Sequence, residues 1–261
     1  MDATLERRAE ERPVGRIREG IRPPKFVDRF ARLDYEAKPM PVIALYPIPE
    51  PMQVEQLVLN VSGLDCALHQ MSWSDLSRLP HYRIQVPVIC QIFNWSETVE
   101  WEGIRLADVL EAAGVETHED GYVAVHSRDG VYFEGLSMAE ARDPRVLLAT
   151  GLNGESLPLE YGGPLRLAVP FLQGYKSVKW VGSIHALRHD PVGIKRLLAQ
   201  SKIARLAPPW RERYGIVPPS GPSGDPDPGI VAGEPMFSSE IAPASPLAEK
   251  QSQPNQQVRM Q

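Results

Sequence analysis

The amino-acid sequence predicts an α+β fold in which mixed β-sheets carry a few short helices. Two observations favour this class: stretches rich in β-branched residues outnumber the helical stretches, and the helical stretches are brief. The chain has 261 residues, of which 43% are hydrophobic, so it can bury a substantial core. The sequence contains no internal repeat.

The predicted strands lie in the middle of the chain. The first covers residues 57–61 and ends at Ser62-Gly63, and a longer one covers 82–92 with an interruption at Pro87. Shorter runs of β-branched and aromatic residues predict three further strands, at 122–125, 166–170 and 179–184.

Two short helices are predicted between these strands. Apolar residues recur at the spacing of one helical face, and Gly114 follows them as a stop signal, at Leu106, Val109, Leu110 and Ala113. This pattern indicates an amphipathic helix of about two to three turns. A second helix is expected over 138–142, where Asp143-Pro144 ends it.

The two ends of the chain differ from its middle in composition. Residues 1–33 hold nine Lys or Arg and six Asp or Glu, and residues 216–261 hold nine of the 26 prolines together with a Gln-rich end. Such segments bury too little apolar surface to offset the entropy of ordering. We expect a charged, partly disordered arm over 1–33, one domain over 34–215 and a disordered Pro/Ser/Gln-rich tail over 216–261.

Charge and composition exclude several classes of function. A formal net charge of −5 opposes general affinity for nucleic acid or for an anionic membrane surface. No stretch of about 18 apolar residues is present, so we expect no membrane span. Two cysteines are too few for a disulfide framework, and residues 1–33 lack the apolar core of a secretory signal. We therefore expect a cytoplasmic protein.

Several catalytic motifs are absent from the sequence. We find no Gly-rich phosphate loop, no dinucleotide-binding glycine pattern, no His-Glu-x-x-His, no Cys-x-x-Cys and no Gly-x-Ser-x-Gly. His185 and His189 are four residues apart and could share a helix face, but no third ligand accompanies them. A chance pair is the preferred interpretation.

Cys90 is the most informative single residue. It follows the apolar residues 86–89 at the point where a predicted strand leaves its sheet, and there a side chain can face a cavity. A small buried hydrophobe is the ordinary interpretation of such a cysteine. The functional alternative is a soft thiolate ligand for a metal. Cys66 is interpreted as a turn residue without a role.

Several segments, taken in order, resemble the molybdopterin-binding oxidoreductase domain of the sulfite oxidase family. They cover most of 57–187 and comprise the strand ending at Cys90, Trp95-Ser96, WEGIRL at 101–106, Asn153-Gly154, GGPLRLAVP at 162–170 and GYKSVKWV at 174–181. The resemblance implies the sulfite-oxidase-type fold. It is nearest to the stand-alone branch, which includes sulfite-oxidase-like proteins and the catalytic subunit of methionine sulfoxide reductase.

The resemblance also implies a cofactor, molybdenum–molybdopterin, and residues that hold it. Cys90 would be the metal ligand, and Arg166 would bind the phosphate of the cofactor. Residues implied to contact the pterin are Ser127, Ser177, Val178 and Lys179. Tyr132 would lie beside the metal as a hydrogen-bond or proton donor. For Arg166 a surface role, for Ser127 an ordinary strand-end hydroxyl and for Tyr132 packing in a strand are the alternatives.

Some glycines and tryptophans receive a role from the same resemblance. Gly162, Gly163 and Gly174 would let the backbone approach a large ligand, with ordinary turns as the alternative. Three tryptophans are interpreted as core residues or pocket walls: Trp95, Trp101 and Trp180.

The sequence departs from the family where the substrate would bind. Sulfite oxidases carry basic residues just after the metal-binding cysteine, whereas residues 91–96 contain no Lys or Arg. Tyr161 stands where the family often has His or Asn, and residues 42–47 lack the Asn-containing contact of the family.

From these departures we expect transfer of an oxygen atom and two electrons to or from a small substrate, an S-oxide or N-oxide. An unidentified electron donor or acceptor would complete the reaction. Sulfite oxidation with Arg128 or Arg105 brought into the pocket is one alternative. A catalytically degenerate interaction subunit is the other.

Overall fold

A computed structural model describes residues 32–34, 36–44, 48–65, 67–90, 95–197 and 204–219. Cys66, residues 91–94, and most of the predicted arm and tail lie outside the described residues. The strands are β1 Arg32–Asp34, β2 Val42–Ala44, β3 Val58–Ser62, β4 Leu68–Ser72, β5 His81–Cys90, β6 Trp95–Arg105, β7 Tyr122–Ser127, β8 Phe133–Ser137, β9 Leu147–Leu152, β10 Glu155–Ser156, β11 Arg166–Ala168 and β12 Val181–Leu187. The helices are α1 Trp73–Leu76, α2 Leu106–Ala112, α3 Met138–Ala141, α4 Ile194–Leu197 and α5 Pro208–Tyr214, and 3-10 turns cover Val54–Gln56, Leu159–Tyr161 and Gly174–Lys176.

Two five-stranded sheets form the body of the fold. The first has the order β10-β9-β6-β5, and β11 also pairs with β9. The second has the order β4-β3-β12-β7-β8, in which β12 runs parallel to β3 and antiparallel to β7. This mixed pairing, together with the short helices, confirms the predicted α+β class.

The core follows from the alternation of side chains along the strands. Leu59 and Val61 of β3 and Ile184 of β12 are completely buried on the inner face of the second sheet. The same apolar cluster continues through Ile89 and Ile104 of the first sheet. A second cluster includes Ile84, Val86, Val99, Trp101 and Leu147, all from the first sheet.

The predicted amphipathic helix is confirmed as α2. Leu106, Val109 and Leu110 are buried, and Gly114 follows the helix with a φ of 62°. A left-handed backbone of this kind favours glycine because it has no Cβ. The predicted second helix is α3, where Ser137 Oγ accepts a hydrogen bond of 3.2 Å from the backbone N–H of Glu140 as an N-cap.

Several elements differ from the sequence expectation, and three of the differences bear on the site. Strand β5 is not interrupted at Pro87, which pairs with Thr98. Among the described strands β5 is the edge of its sheet. An edge strand tolerates proline, because the N–H that proline lacks can face the side without a partner strand. β6 was not predicted. His185 lies in β12 and not in a helix, so His185 and His189 do not share a helix face.

No helix of the described residues is both long enough and apolar enough to cross a membrane.

Candidate functional site

A cleft lies where β5, β6 and β11 of the first sheet meet the chain between β11 and the Gly174–Lys176 turn. It encloses about 340 Å³, part of it open to solvent. The walls are mostly apolar, with one cation and one hydroxyl, and the lining residues are Pro87, Val88, Ile89, Trp101, Arg166, Ala168, Val169, Pro170, Leu172, Gly174 and Ser177.

Arg166 is the cation of the cleft and is only 6% exposed. Its Nη1 donates a hydrogen bond of 2.8 Å to the carbonyl of Tyr161, and its Cζ lies 5.1 Å from the ring centroid of Trp101. Within the described part of the chain, the buried Nε has no hydrogen-bond partner. Burial lowers the pKa of Arg166 to about 10, which leaves it charged at neutral pH. A buried guanidinium with an unsatisfied N–H is suited to an anionic ligand.

Tyr161 supports this arginine through its backbone. Its hydroxyl lies 2.6 Å from the carbonyl of Met40, to which it donates, and 3.0 Å from that of Lys38. The side chain that replaces the His or Asn of the family therefore holds the segment before β2. The contact between Tyr161 and Arg166 could not be predicted from the sequence, because it uses the Tyr161 backbone carbonyl, which every residue type carries.

Cys90 is the last residue of β5 and is half-buried. It pairs directly with Trp95, the first residue of β6. Because side chains alternate along a strand, Cys90 points to the same face as Val88, and Trp95 points to the same face as Trp101. Val88 and Trp101 both line the cleft, so the structure brings Cys90 and Arg166 to one face of the first sheet.

Of the three residues predicted to wrap the pterin, Ser177 lines the cleft. Its Oγ accepts a hydrogen bond of 3.0 Å from the backbone N–H of Val169. The side chain of Val178 is fully buried in the core, and its carbonyl accepts a hydrogen bond of 2.8 Å from Leu167. Any ligand contact of Val178 would therefore involve its backbone.

Lys179 lies behind the cleft wall and not among the lining residues. Its Nζ donates hydrogen bonds of 2.9 Å to the carbonyl of Ile43 and 2.7 Å to that of Glu160. Burial, and secondarily the nearby charge of Arg166, hold the pKa of Lys179 well below its usual value. The ammonium group thus connects β2 to the Leu159–Tyr161 turn.

Ser127, the last residue of β7, and Tyr132, just before β8, do not line the cleft. Ser127 Oγ donates to the carboxylate of Asp129 and accepts from the N–H of Tyr132 at 3.2 Å, which closes the turn between β7 and β8. Tyr132 precedes β8 and does not lie in a strand as expected. Its hydroxyl donates a hydrogen bond of 2.6 Å to the carbonyl of Tyr175 and so contacts the back of the turn that carries Gly174.

Two of the three glycines assigned to ligand approach instead pack against protein. A Cβ on Gly162, where φ is 113°, would lie 3.0 Å from the Lys179 side chain, and one on Gly163 would lie 2.1 Å from the carbonyl oxygen of Leu157. Gly174 lines the cleft. Trp101 also lines it, whereas Trp180 donates its indole N–H to the carbonyl of Leu159 at 2.7 Å.

The arginines proposed for a sulfite pocket lie elsewhere. Arg105 stacks on Tyr82, with its Cζ 3.9 Å from the ring centroid, and Arg128 donates a hydrogen bond to the carbonyl of Glu50. Neither lines the cleft. Across the described ranges, no group of three or more His, Cys, Asp or Glu side chains could hold a metal ion.

Helix α5 contacts the strand next to Cys90, a contact that sequence reasoning missed. Tyr214 OH lies 2.5 Å from Ser96 Oγ, the residue after Trp95. Sequence signals for this helix exist, because Pro208 stands at its first position and Gly215 follows it with a φ of 59°.

Comparison with known proteins identifies the family to which this chain belongs. Residues 46–194 match the family described as the oxidoreductase molybdopterin binding domain. The match covers more than half of the chain, so the chain belongs to this family of oxidoreductase domains. The predicted membership of this family is confirmed.

Named relatives within the family differ in their reactions. The chain is 32% identical over 162 residues to the protein-methionine-sulfoxide reductase catalytic subunit MsrP of Gluconobacter oxydans, covering 56% of this chain and 49% of that protein. It is 32% identical over 154 residues to the uncharacterized oxidoreductase YuiH of Bacillus subtilis, covering 59% of this chain and 76% of that protein. Human mitochondrial sulfite oxidase is 33% identical over 140 residues, which cover 44% of this chain and 26% of that enzyme. The chain thus spans about half of MsrP.

A solved structure agrees on the fold. The sulfane dehydrogenase SoxCD of Paracoccus pantotrophus matches 58% of this chain and 43% of its own, with a TM-score of 0.53 and 24% identity. The predicted sulfite-oxidase-type fold is confirmed.

Proposed function

We propose that this chain is a molybdenum-dependent oxidoreductase that transfers an oxygen atom and two electrons to or from a small S-oxide or N-oxide. The observation that carries the proposal is Arg166, a buried cation with an unsatisfied Nε in the cleft beside the strand that ends at Cys90. A charged donor in the cleft, together with a thiol at the end of a strand that lines it, matches a cofactor that has a phosphate and a metal.

The residues present fit molybdenum–molybdopterin. Cys90 would hold the metal as a thiolate, and Arg166 would bind the phosphate through charge-assisted hydrogen bonds. Ser177 and the backbone of Val178 would line the pterin. Lys179 would anchor the cofactor site through the Leu159–Tyr161 turn, which carries the carbonyl partner of Arg166. When bound, this cofactor supplies two-electron redox chemistry, and the protein supplies orientation and electrostatics. The role of Ser127 as a contact stays a prediction.

The chain would assist the reaction through the position of its side chains. Tyr132 would act by holding the Gly174–Lys176 turn, since its hydroxyl donates to the carbonyl of Tyr175.

A neutral substrate suits a position beside Cys90. Residues 91–96 contain no Lys or Arg, and neither Arg105 nor Arg128 lines the cleft. A sulfite dianion would lose charge-assisted hydrogen bonds that are worth about 1.5 to 3 kcal/mol each. The relationship to MsrP, whose name describes a methionine sulfoxide reductase, supports the same choice. Sulfite oxidation is the alternative and is supported by the relationship to sulfite oxidase. The electron partner and a cytoplasmic location stay predictions.

Metal and pterin content test the proposal directly. Protein purified from a host that makes molybdopterin should contain close to one molybdenum and one pterin per chain. Cys90→Ser should abolish dye-linked reduction of dimethyl sulfoxide and methionine sulfoxide, while Cys66→Ser, the matched control, should retain it. Equal activity of Cys90→Ser and wild type would rule out the thiolate ligand. A cofactor-less wild type would favour the degenerate interaction subunit.

A further inference from the structure

Trp95 carries a buried hydrogen-bond donor without a partner. Its indole Nε1 is shielded from solvent and has no hydrogen-bond partner among the described residues. An unsatisfied buried N–H costs about 1 to 3 kcal/mol, so such a group calls for an explanation. Trp180 shows the ordinary arrangement, because its indole N–H donates to the carbonyl of Leu159.

The position of this donor is fixed relative to Cys90. Trp95 and Cys90 are directly opposite each other in the antiparallel pair of β5 and β6. Side chains of opposed residues share one face, with Cβ atoms about 4.5 to 5.5 Å apart. The next residue, Ser96, points to the other face, where its Oγ lies 2.5 Å from Tyr214 OH. Helix α5 therefore holds the start of β6 from behind.

Two unsatisfied buried donors, Trp95 Nε1 and Arg166 Nε, therefore lie on this face of the first sheet. Arg166 Nε is a charged donor and suits a phosphate. Trp95 Nε1 is a neutral donor, and an indole has no acceptor of its own. A neutral donor can satisfy a polar oxygen, but it cannot offset the desolvation of a dianion.

We propose that the indole N–H of Trp95 donates a hydrogen bond to the oxygen atom of a substrate bound beside Cys90. This inference rests on the proposed function and deepens it, because it makes Trp95 a specificity-determining residue. The donor favours neutral S-oxides and N-oxides over sulfite for the reason just given.

The indole N–H can be observed by NMR in the cofactor-loaded protein. The chain has five tryptophans and therefore at most five indole N–H signals. Dimethyl sulfoxide added to the oxidised holoenzyme without an electron donor should shift the Trp95 signal, assigned from Trp95→Phe or, if that variant does not fold, from Trp95→His. The signal of Trp73, which packs edge-on against His81 at the opposite end of β5 from Cys90, should not move.

Binding measurements complete the test. Trp95→Phe keeps an aromatic ring but removes the donor, so its Kd for dimethyl sulfoxide should rise about two- to tenfold, the range of one neutral hydrogen bond. Trp95→His keeps a donor and should recover part of the affinity, and Trp73→Phe should bind like wild type. An unmoved Trp95 signal at saturation in a fully loaded enzyme would overturn the inference alone. A wild type without molybdenum and pterin would instead overturn the proposed function.

Discussion

Arg166 illustrates how one residue can indicate a ligand. Its guanidinium is buried, one hydrogen bond goes to a backbone carbonyl, and Nε has no partner. A buried cation without a counter-charge is costly. A bound phosphate would offset that cost, so the penalty in the apoprotein and affinity for the cofactor have the same origin.

Replacement of Arg166 should therefore separate cofactor binding from folding. Arg166→Ala should weaken retention of the pterin about 10- to 100-fold, the scale of one or two charge-assisted hydrogen bonds. Arg166→Lys should be intermediate, because it keeps the charge but not the planar fork. The measurement is pterin fluorescence per chain after oxidation, together with the melting temperature, which should fall only for cofactor-loaded protein.

Lys179→Met is the comparison for this experiment. It removes the donor that serves the carbonyls of Ile43 and Glu160, so it should lower the free energy of unfolding of the apoprotein by about 1 to 3 kcal/mol. Full pterin content in Arg166→Ala would mean that the phosphate binds elsewhere.

Motifs predicted some site residues but not their orientation. The segment 162–170 identified Arg166, and the structure places this residue in the cleft. The roles of Tyr161 and Trp95 could not be predicted, because one depends on a carbonyl and the other on the register between β5 and β6. Register is set by pairing across the sheet and cannot be read from a single strand.

At the scale of elements, a buried ion pair joins the cleft to the second sheet. Lys176 belongs to the 3-10 turn that carries Gly174, and its Nζ lies 3.1 Å from Glu134 Oε2 of β8. The same Nζ donates to the carbonyl of Gly135 at 2.8 Å. With the Tyr132 hydroxyl on Tyr175, these contacts hold the turn from behind.

Breaking this pair should be much more costly than breaking an exposed one. Glu134→Gln leaves a buried ammonium group without its counter-charge, so the free energy of unfolding should fall by about 3 to 5 kcal/mol. Arg78→Met breaks the exposed Arg78–Asp75 pair, and its effect should stay below about 1 kcal/mol. Urea unfolding of both variants measures the difference. Similar losses in the two variants would contradict the assigned role of burial.

Two histidines on neighbouring strands should make stability depend on pH. His126 of β7 and His185 of β12 have ring centroids 5.1 Å apart, and burial lowers the pKa of both, with His185 further lowering that of His126. Since the unfolded chain then binds protons more readily, stability should fall as pH drops below about 6.5, the ordinary histidine value.

Urea unfolding between pH 7.5 and 5.5 measures this dependence. His126→Gln should flatten it, whereas His189→Gln, which changes an exposed histidine, should leave it as in wild type. If the free energy of unfolding of His126→Gln depends on pH as steeply as that of wild type, groups other than His126 cause the dependence.

Elements with a simple pattern were predicted well, and those with a mixed pattern were not. Helix α2 combines a regular apolar face with a glycine stop. β6 carries Glu97, Glu100 and Glu102 among apolar residues, and a bulge after Glu102 shifts its register to β9. Period-2 alternation is lost at such a point, so this strand was not predicted.

At the scale of the whole molecule, one apolar cluster joins the two large sheets. It includes Ile89 and Ile104 from the first sheet and Val61, Val125 and Ile184 from the second. Neither sheet can therefore lose its packing without exposing part of the other.

This shared core predicts cooperative unfolding. The apoprotein should unfold in a single thermal transition, with tryptophan fluorescence and far-UV circular dichroism changing together. Two separated transitions, or probes that disagree, would mean that the sheets are independent units. Calorimetric and van't Hoff enthalpies provide the second check.

Pro87 in β5 has a consequence for the protein in a crowded cell. The outer edge of a sheet can recruit a strand from another molecule, which is one route to aggregation. In the described part of the chain β5 is such an edge, and it borders the cleft. A proline there interrupts the row of N–H donors that an incoming strand would need. Pro87, which the sequence suggested would interrupt β5, therefore hinders another molecule from adding a strand at the edge that borders the cleft.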